Sequence, residues 1–226
     1  MHTYLLVNIL SISVPFIASF DRRLKFYREW KYFFPAMIIT LVFFIAWDVL
    51  YTHWGIWGFN DHHLTGIKIL NLPLEEWLFF VSIPYACVFT YHALKYLLKK
   101  DILAPFAGTI SWILILVLLV TGAVFYDHLY TSVTFGLTAL FILLHLYVFK
   151  SKYLGRFYLT YAIILIPFFI VNGILTGSWI EEEVVFYDDT MNLGIRMFTI
   201  PVEDSIYGLL LILMNITFYE KFKTLY

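Results

Sequence analysis

Cysteine occurs once in this chain, at Cys87, so neither an internal disulfide framework nor a cysteine-rich metal site can be built. Charge is nearly as scarce. Only 14% of the 226 residues are Asp, Glu, Lys or Arg, and the formal net charge is -1. A soluble domain carries about 25% charged residues. The chain is therefore no polyelectrolyte binder, and nothing in its charge points to nucleic acid as a partner. A Gly-x-Gly-x-x-Gly dinucleotide fingerprint is also missing, which disfavours a flavin or nicotinamide enzyme. What fills the chain instead is apolar. Hydrophobic residues make up 62%, aromatics 21%, and the mean hydropathy is +0.81. A soluble protein of this size cannot bury that much apolar surface, and disorder is excluded. The composition predicts an all-α, polytopic membrane protein.

A helix needs about 20 residues to cross the hydrocarbon core. About seven transmembrane helices are predicted, over 3–20, 32–50, 73–95, 102–125, 129–149, 157–175 and 201–220. The first lacks a basic n-region and is read as a retained helix, not a cleaved signal peptide. Thirteen of the fifteen basic residues fall into four regions, after the first, third, fifth and seventh spans; only Lys68 and Arg196 lie elsewhere. The positive-inside rule puts those regions in the cytoplasm. The expectation is a multi-pass protein of the cell membrane, with its N-terminus outside and its C-terminus cytoplasmic. The two long connections, about 51–72 and 176–200, then fall outside, where function tends to gather.

Those two loops end alike. Gly66-Ile67-Lys68-Ile69-Leu70-Asn71-Leu72-Pro73-Leu74-Glu75-Glu76 aligns without a gap on Gly194-Ile195-Arg196-Met197-Phe198-Thr199-Ile200-Pro201-Val202-Glu203-Asp204, at an offset of 128. Upstream, Asp48 corresponds to Asn172 if four residues are inserted in the second copy. This is an internal duplication. It predicts two parallel three-helix repeats, 1–100 and 128–226, joined by a linking helix in 101–127. Repeat-built membrane proteins commonly place their site at the repeat interface.

Proline suits the first position of a helix, so Pro73 and Pro201 mark the starts of the third and seventh spans. Acidic residues in a first turn can simply satisfy free N–H groups and the helix dipole. Here, however, the motif occurs twice, each copy has adjacent carboxyls, and both adjoin a membrane interior, where carboxylates are costly and usually functional. Carboxyl groups with abundant aromatics, no nucleophile dyad and no cofactor cradle suit protonation of a water-insoluble alkene. Aromatic faces would stabilise the resulting carbocation. Candidate faces are Trp47, Trp54, Trp57, Phe59, Trp77, Phe79, Phe80, Trp179, Phe186, Tyr187 and Tyr207. Trp and Tyr also gather at membrane interfaces for ordinary reasons.

These features resemble the integral-membrane lycopene cyclase-domain family, the flavin-independent type found as two half-subunits or one fused chain. The resemblance rests on Trp47-Asp48, Leu72-Pro73-Leu74-Glu75-Glu76, Asn172-Gly173-Ile174-Leu175-Thr176-Gly177, Leu193-Gly194-Ile195-Arg196 and Ile200-Pro201-Val202-Glu203-Asp204, and it covers nearly the whole chain. It implies conversion of lycopene to β-carotene through γ-carotene, without redox change and without cofactor or metal. It also implies proton transfer by Glu75, Glu76, Glu203 and Asp204, with Asp48 beside them. Asn172, Trp47, Trp77, Phe80, Tyr187 and Tyr207 are the substrate-binding candidates. The second motif ends in Asp followed by Ser205, where the first has Glu followed by Trp77, so the copies need not be equal.

Other readings compete with this one, a small transporter or carotenoid-binding subunit among them. A retinal protein needs a mid-helix lysine for its Schiff base, and no span has one. A membrane prenyltransferase would hold Mg²⁺ on Asp-rich motifs; Asp188-Asp189-Thr190-Met191-Asn192 is only a partial version. A hydratase adding water to a similar cation stays open, as does a homo-oligomer. Outside the motif, Asn8, His145 and Asn215 are expected to bond neighbouring helices, Cys87 to pack, and His53, His62 and His63 to be solvated.

Overall fold

The computed structural model describes residues 2–225. Seven α-helices dominate: α1 (Thr3–Ala18), α2 (Trp30–His53), α3 (Leu74–Leu97), α4 (Ala107–Val124), α5 (Leu129–Tyr147), α6 (Leu154–Leu175) and α7 (Val202–Leu225). Six are long and apolar enough to cross a membrane; α1, with 16 residues, is shorter. At 1.5 Å per residue α1 reaches about 24 Å, short of the roughly 30 Å hydrocarbon core. The segment after it folds into the bundle end instead. There Phe26, fully buried, packs its ring on Phe33, Tyr85 and Phe89. The fold is that of an all-α polytopic membrane protein.

Many polar groups inside the bundle are satisfied locally, as a hydrocarbon surrounding favours. Thr40, Thr138 and Thr160 each donate to a carbonyl one turn earlier. Asn8 donates to the Glu75 carbonyl at 2.9 Å and accepts from Ser82. His145 lies 2.7 Å from Ser151 and 2.9 Å from Thr217.

Three short antiparallel ladders sit at the end with the long loops. β1 (Trp57–Phe59) pairs with β4 (Val185–Tyr187); β2 (Lys68–Ile69) with β3 (Leu72–Pro73); and β5 (Arg196–Met197) with β6 (Ile200–Pro201). The β1–β4 register is centred on Gly58 and Phe186, which are themselves 128 positions apart. Two equivalent strands that pair antiparallel about their own middle residues lie on a pseudo-two-fold axis. The backbone repeats as faithfully. Leu70 and Phe198 adopt φ 59° and 60°, Gly66 and Gly194 φ 85° and 67°, Lys25 and Lys150 φ 48° and 47°. Left-handed backbone is rare outside glycine, so its recurrence at matched places is a mark of common construction. The symmetry is imperfect where it matters. α2 packs closely along α7, while the equivalent α6 lies more loosely against α3.

Candidate active site

Each copy builds its helix start in the same way. The β2–β3 hairpin turns through the left-handed Leu70, and the Leu74 N–H donates to the Ile67 carbonyl at 2.8 Å. In the second copy Phe198 makes the turn, and Val202 donates to Ile195 at 3.0 Å. Pro73 and Pro201 end the strands one residue before the helices begin. Pro73 has φ -64°, a value shared by extended and helical backbone, so the ring fits the junction from either side.

Adjacent helical residues point about 100° apart, and the two acids of each motif part accordingly. The first acid turns back to the loop. Glu75 Oε1 accepts the Thr65 N–H at 2.6 Å; Glu203 Oε1 accepts the Leu193 N–H at 2.9 Å and the Thr131 hydroxyl at 2.6 Å. Thr65 and Leu193 are equivalent positions, ten residues before their acids. Both carboxyls are fully buried, yet neither lines the cavity between the repeats. The second acid faces inward. Tyr4 donates to Glu76 at 2.5 Å, and Tyr130 donates to Asp204 at 2.7 Å. These tyrosines are also equivalent. Each follows a histidine two places earlier, and each histidine Nδ1 contacts a loop carbonyl, His2 that of Leu64 and His128 that of Asn192. The His-x-Tyr pattern at the start of both copies was the sequence signal that would have revealed them.

A cavity of about 180 Å³ lies at the repeat interface. At its loop end Asp48, Glu76 and Asp204 converge, from α2, α3 and α7. The Asp48 and Glu76 carboxyls share this end of the cavity, and Asp48 accepts from Tyr207 at 2.9 Å. Asp204 is held differently. It accepts from three donors: Tyr130 at 2.7 Å, Tyr187 at 2.9 Å and the Asn172 amide at 3.3 Å. Aromatic rings surround the acids. Trp57 meets Tyr130 edge-on at 5.1 Å and Tyr207 at 6.1 Å, and Tyr130 stacks on Tyr187 at 6.0 Å. Beyond the acids the walls become aliphatic, with Ile83, Ala86, Ile164 and Ile212, and Cys87 is one of them.

Of the residues singled out from sequence, Asp48, Glu76, Asp204, Asn172, Trp57, Phe59, Phe79, Tyr187 and Tyr207 line this cavity; Glu75 and Glu203 do not. Trp47, Trp77 and Phe80 do not line it either. Trp47 stacks on Phe44 at 5.8 Å and meets Tyr207 at 5.2 Å, Phe80 lies against Phe44 at 6.0 Å, and the Trp77 indole N–H points to the Ile69 carbonyl at 3.4 Å. Phe44, Trp47 and Phe80 fill the space between α2, α3 and α7 with aromatic rings. On the α6 side the matching space is the cavity.

The acidic loop residues are engaged among themselves. Asp188 accepts from the Thr190 hydroxyl and N–H, which hold its carboxyl below the usual carboxylate range. Asp189 pairs with Arg196 at 2.5 Å. Glu182 accepts from Asn60 at 3.0 Å, and that bond with the nearby His62 keeps its carboxyl low. Burial, and then the charge of Asp204, push the Tyr187 phenol well above its ordinary value, so it stays neutral.

A family model described as Lycopene cyclase matches residues 1–94 and 127–222. Those segments cover α1, α2 and most of α3, then α5, α6 and most of α7; α4 lies in the gap between them. No curated protein and no solved structure matches the chain.

Proposed function

The chain belongs to the lycopene cyclase family, and from that premise we propose that it is a lycopene β-cyclase working by acid–base chemistry alone. Glu76 and Asp48 form the acid. Two carboxyls that share one buried, mostly apolar cavity hold one proton between them, because charging both there is costly. That proton goes to the terminal double bond of the polyene and leaves a tertiary cation. The inner alkene attacks the cation and closes a six-membered ring. The ring cation then loses a proton to Asp204 and becomes the β-ionone ring. Asp204 suits the base because three donors already aim at its oxygens and favour the carboxylate. Trp57, Tyr130 and Tyr207 face the cation by cation–π attraction. The step is an isomerisation: one proton enters, one leaves, and nothing is oxidised.

Glu75 and Glu203 are positioning residues in this reading. They fix the loops that carry the helix starts. With Asp48, Glu76 and Asp204 gathered in one cavity, the two ends of lycopene react in succession, first to γ-carotene and then to β-carotene. The basic ends of the helices face the cytoplasm, which puts the N-terminus and the cavity mouth at the outer side.

The observation that carries this reading is the meeting of three carboxyls with an aromatic wall in an otherwise apolar chamber. It is tested by expression in cells that accumulate lycopene. The expected result is conversion to cyclic carotenes by chromatography, abolished by Glu76→Gln with the protein still in the membrane. Pigment that stays wholly lycopene with the wild-type chain in the membrane refutes it.

A further inference from the structure

We propose that Tyr187 is a proton relay, through which Asp204 exchanges its proton with water in a polar pocket at the loop end. The proposal rests on Asp204 being the proton acceptor. Cyclisation is proton-neutral overall, but acid and base are different groups. Each ring closure therefore leaves the Glu76–Asp48 pair one proton short and Asp204 one proton over. The enzyme has to be reset before the next end can react.

A second pocket, of about 390 Å³, lies behind the first. Its lining is polar, with Thr176, Glu183, Asp189, Arg196 and Thr199. Thr199 lies 2.7 Å from the Thr176 hydroxyl and 2.6 Å from that of Ser178, a short chain of groups that can pass protons. Tyr187 and Val185 line both pockets, and of these two only Tyr187 has a group that can carry a proton. Its hydroxyl bonds Asp204 at 2.9 Å, and the Arg196 guanidinium lies over its ring at 5.8 Å.

The first copy supplies the contrast. Lys68 pairs with Asp61 at 2.9 Å just as Arg196 pairs with Asp189. Yet the position equivalent to Tyr187 is Phe59, which also lines the cavity. At this position the two walls differ by one hydroxyl, and that hydroxyl stands on the side of the base. In the reset, protonated Asp204 donates to the Tyr187 oxygen while the Tyr187 hydroxyl proton passes to water. The reverse passage brings in a solvent proton, which Asp204 returns to the Glu76–Asp48 pair. No bond other than O–H changes.

Tyr187→Phe gives the second wall the residue of the first, and Asp204 keeps Tyr130 and Asn172 as partners. Wild type and Tyr187→Phe, purified in lipid, are given lycopene in D₂O, and the product is weighed by mass spectrometry. Wild type is expected to place one deuterium in each ring. The variant is expected to place fewer after the first ring, because its base hands the substrate's own proton back. Full deuterium in every ring from the variant, or no deuterium from wild type, overturns the relay. A wild-type protein that forms no cyclic product at all overturns the cyclase reading instead.

Discussion

Alanine at the first acid of each motif should damage the fold, and damage it unequally. Glu203 holds two buried donors, the Leu193 N–H and the Thr131 hydroxyl, while Glu75 holds one, the Thr65 N–H. Leaving one buried donor unpaired costs about 1–3 kcal/mol. Glu75→Ala therefore costs about 1–3 kcal/mol, and Glu203→Ala about 2–6 kcal/mol because it orphans two donors. Glutamine keeps one carbonyl oxygen for those donors. Its amide NH₂ replaces Oε2, which has no partner in either residue, so the glutamine variants should be milder than the alanine variants. Thermal unfolding in one detergent ranks the four. The expected order of destabilisation is Glu203→Ala, then Glu75→Ala, with both glutamine variants near wild type. Cyclisation per folded molecule, read by chromatography, should persist in both glutamine variants. If Glu75→Gln or Glu203→Gln abolishes product at wild-type melting temperature, these carboxyls take part in the chemistry and the division of labour within each motif is wrong.

The second acids should behave in the opposite way. Glu76→Gln and Asp204→Asn are each expected to lower turnover about 10²–10⁴-fold, the usual worth of an acid or base, with melting temperature little changed. Tyr4→Phe should slow turnover more than Tyr130→Phe, since Asp204 keeps Tyr187 and Asn172 while Glu76 is left with the Asp48 carboxyl alone; equal rates would count against the donor arrangement. Gly155→Ala should lower the melting temperature without altering product identity. Its Cβ would lie 2.4 Å from the Ala104 backbone nitrogen, and such overpacking costs about 1–3 kcal/mol.

Much of this architecture is legible in the sequence, because it depends on properties that repeat along the chain. Apolar runs of membrane length mark the helices, and two Pro-acid motifs at one offset mark the helix starts. Asp48 and Asn172, assigned to each other across an insertion, do reach the same cavity. What the sequence hides is direction. Glu75 and Glu76 look interchangeable in a string, and only the 100° step between them sends one to the loop and the other to the chamber. Trp47 and Phe80 look like cavity walls because aromatics near acids do, but they fill the space on the opposite side of the dyad. Tyr4 and Tyr130 escape notice because the motif that matters lies on another helix, some 70 residues away, as with Tyr4 and Glu76. That the chamber opens beside α6 and not beside α2 depends on how tightly each helix packs, which no local pattern reports.

The antiparallel meeting of β1 with β4 about Gly58 and Phe186 has an evolutionary consequence. A strand that pairs with its own equivalent is self-complementary, so a half-length ancestor could have joined to a second copy of itself through the same ladder. Fusion of two such copies through a linking helix requires no new interface. It freed the halves to mutate independently. One half could then close its groove with Phe44 and Trp47, while the other kept its groove hollow. An obligate symmetric dimer cannot make that division, because every substitution appears on both sides at once.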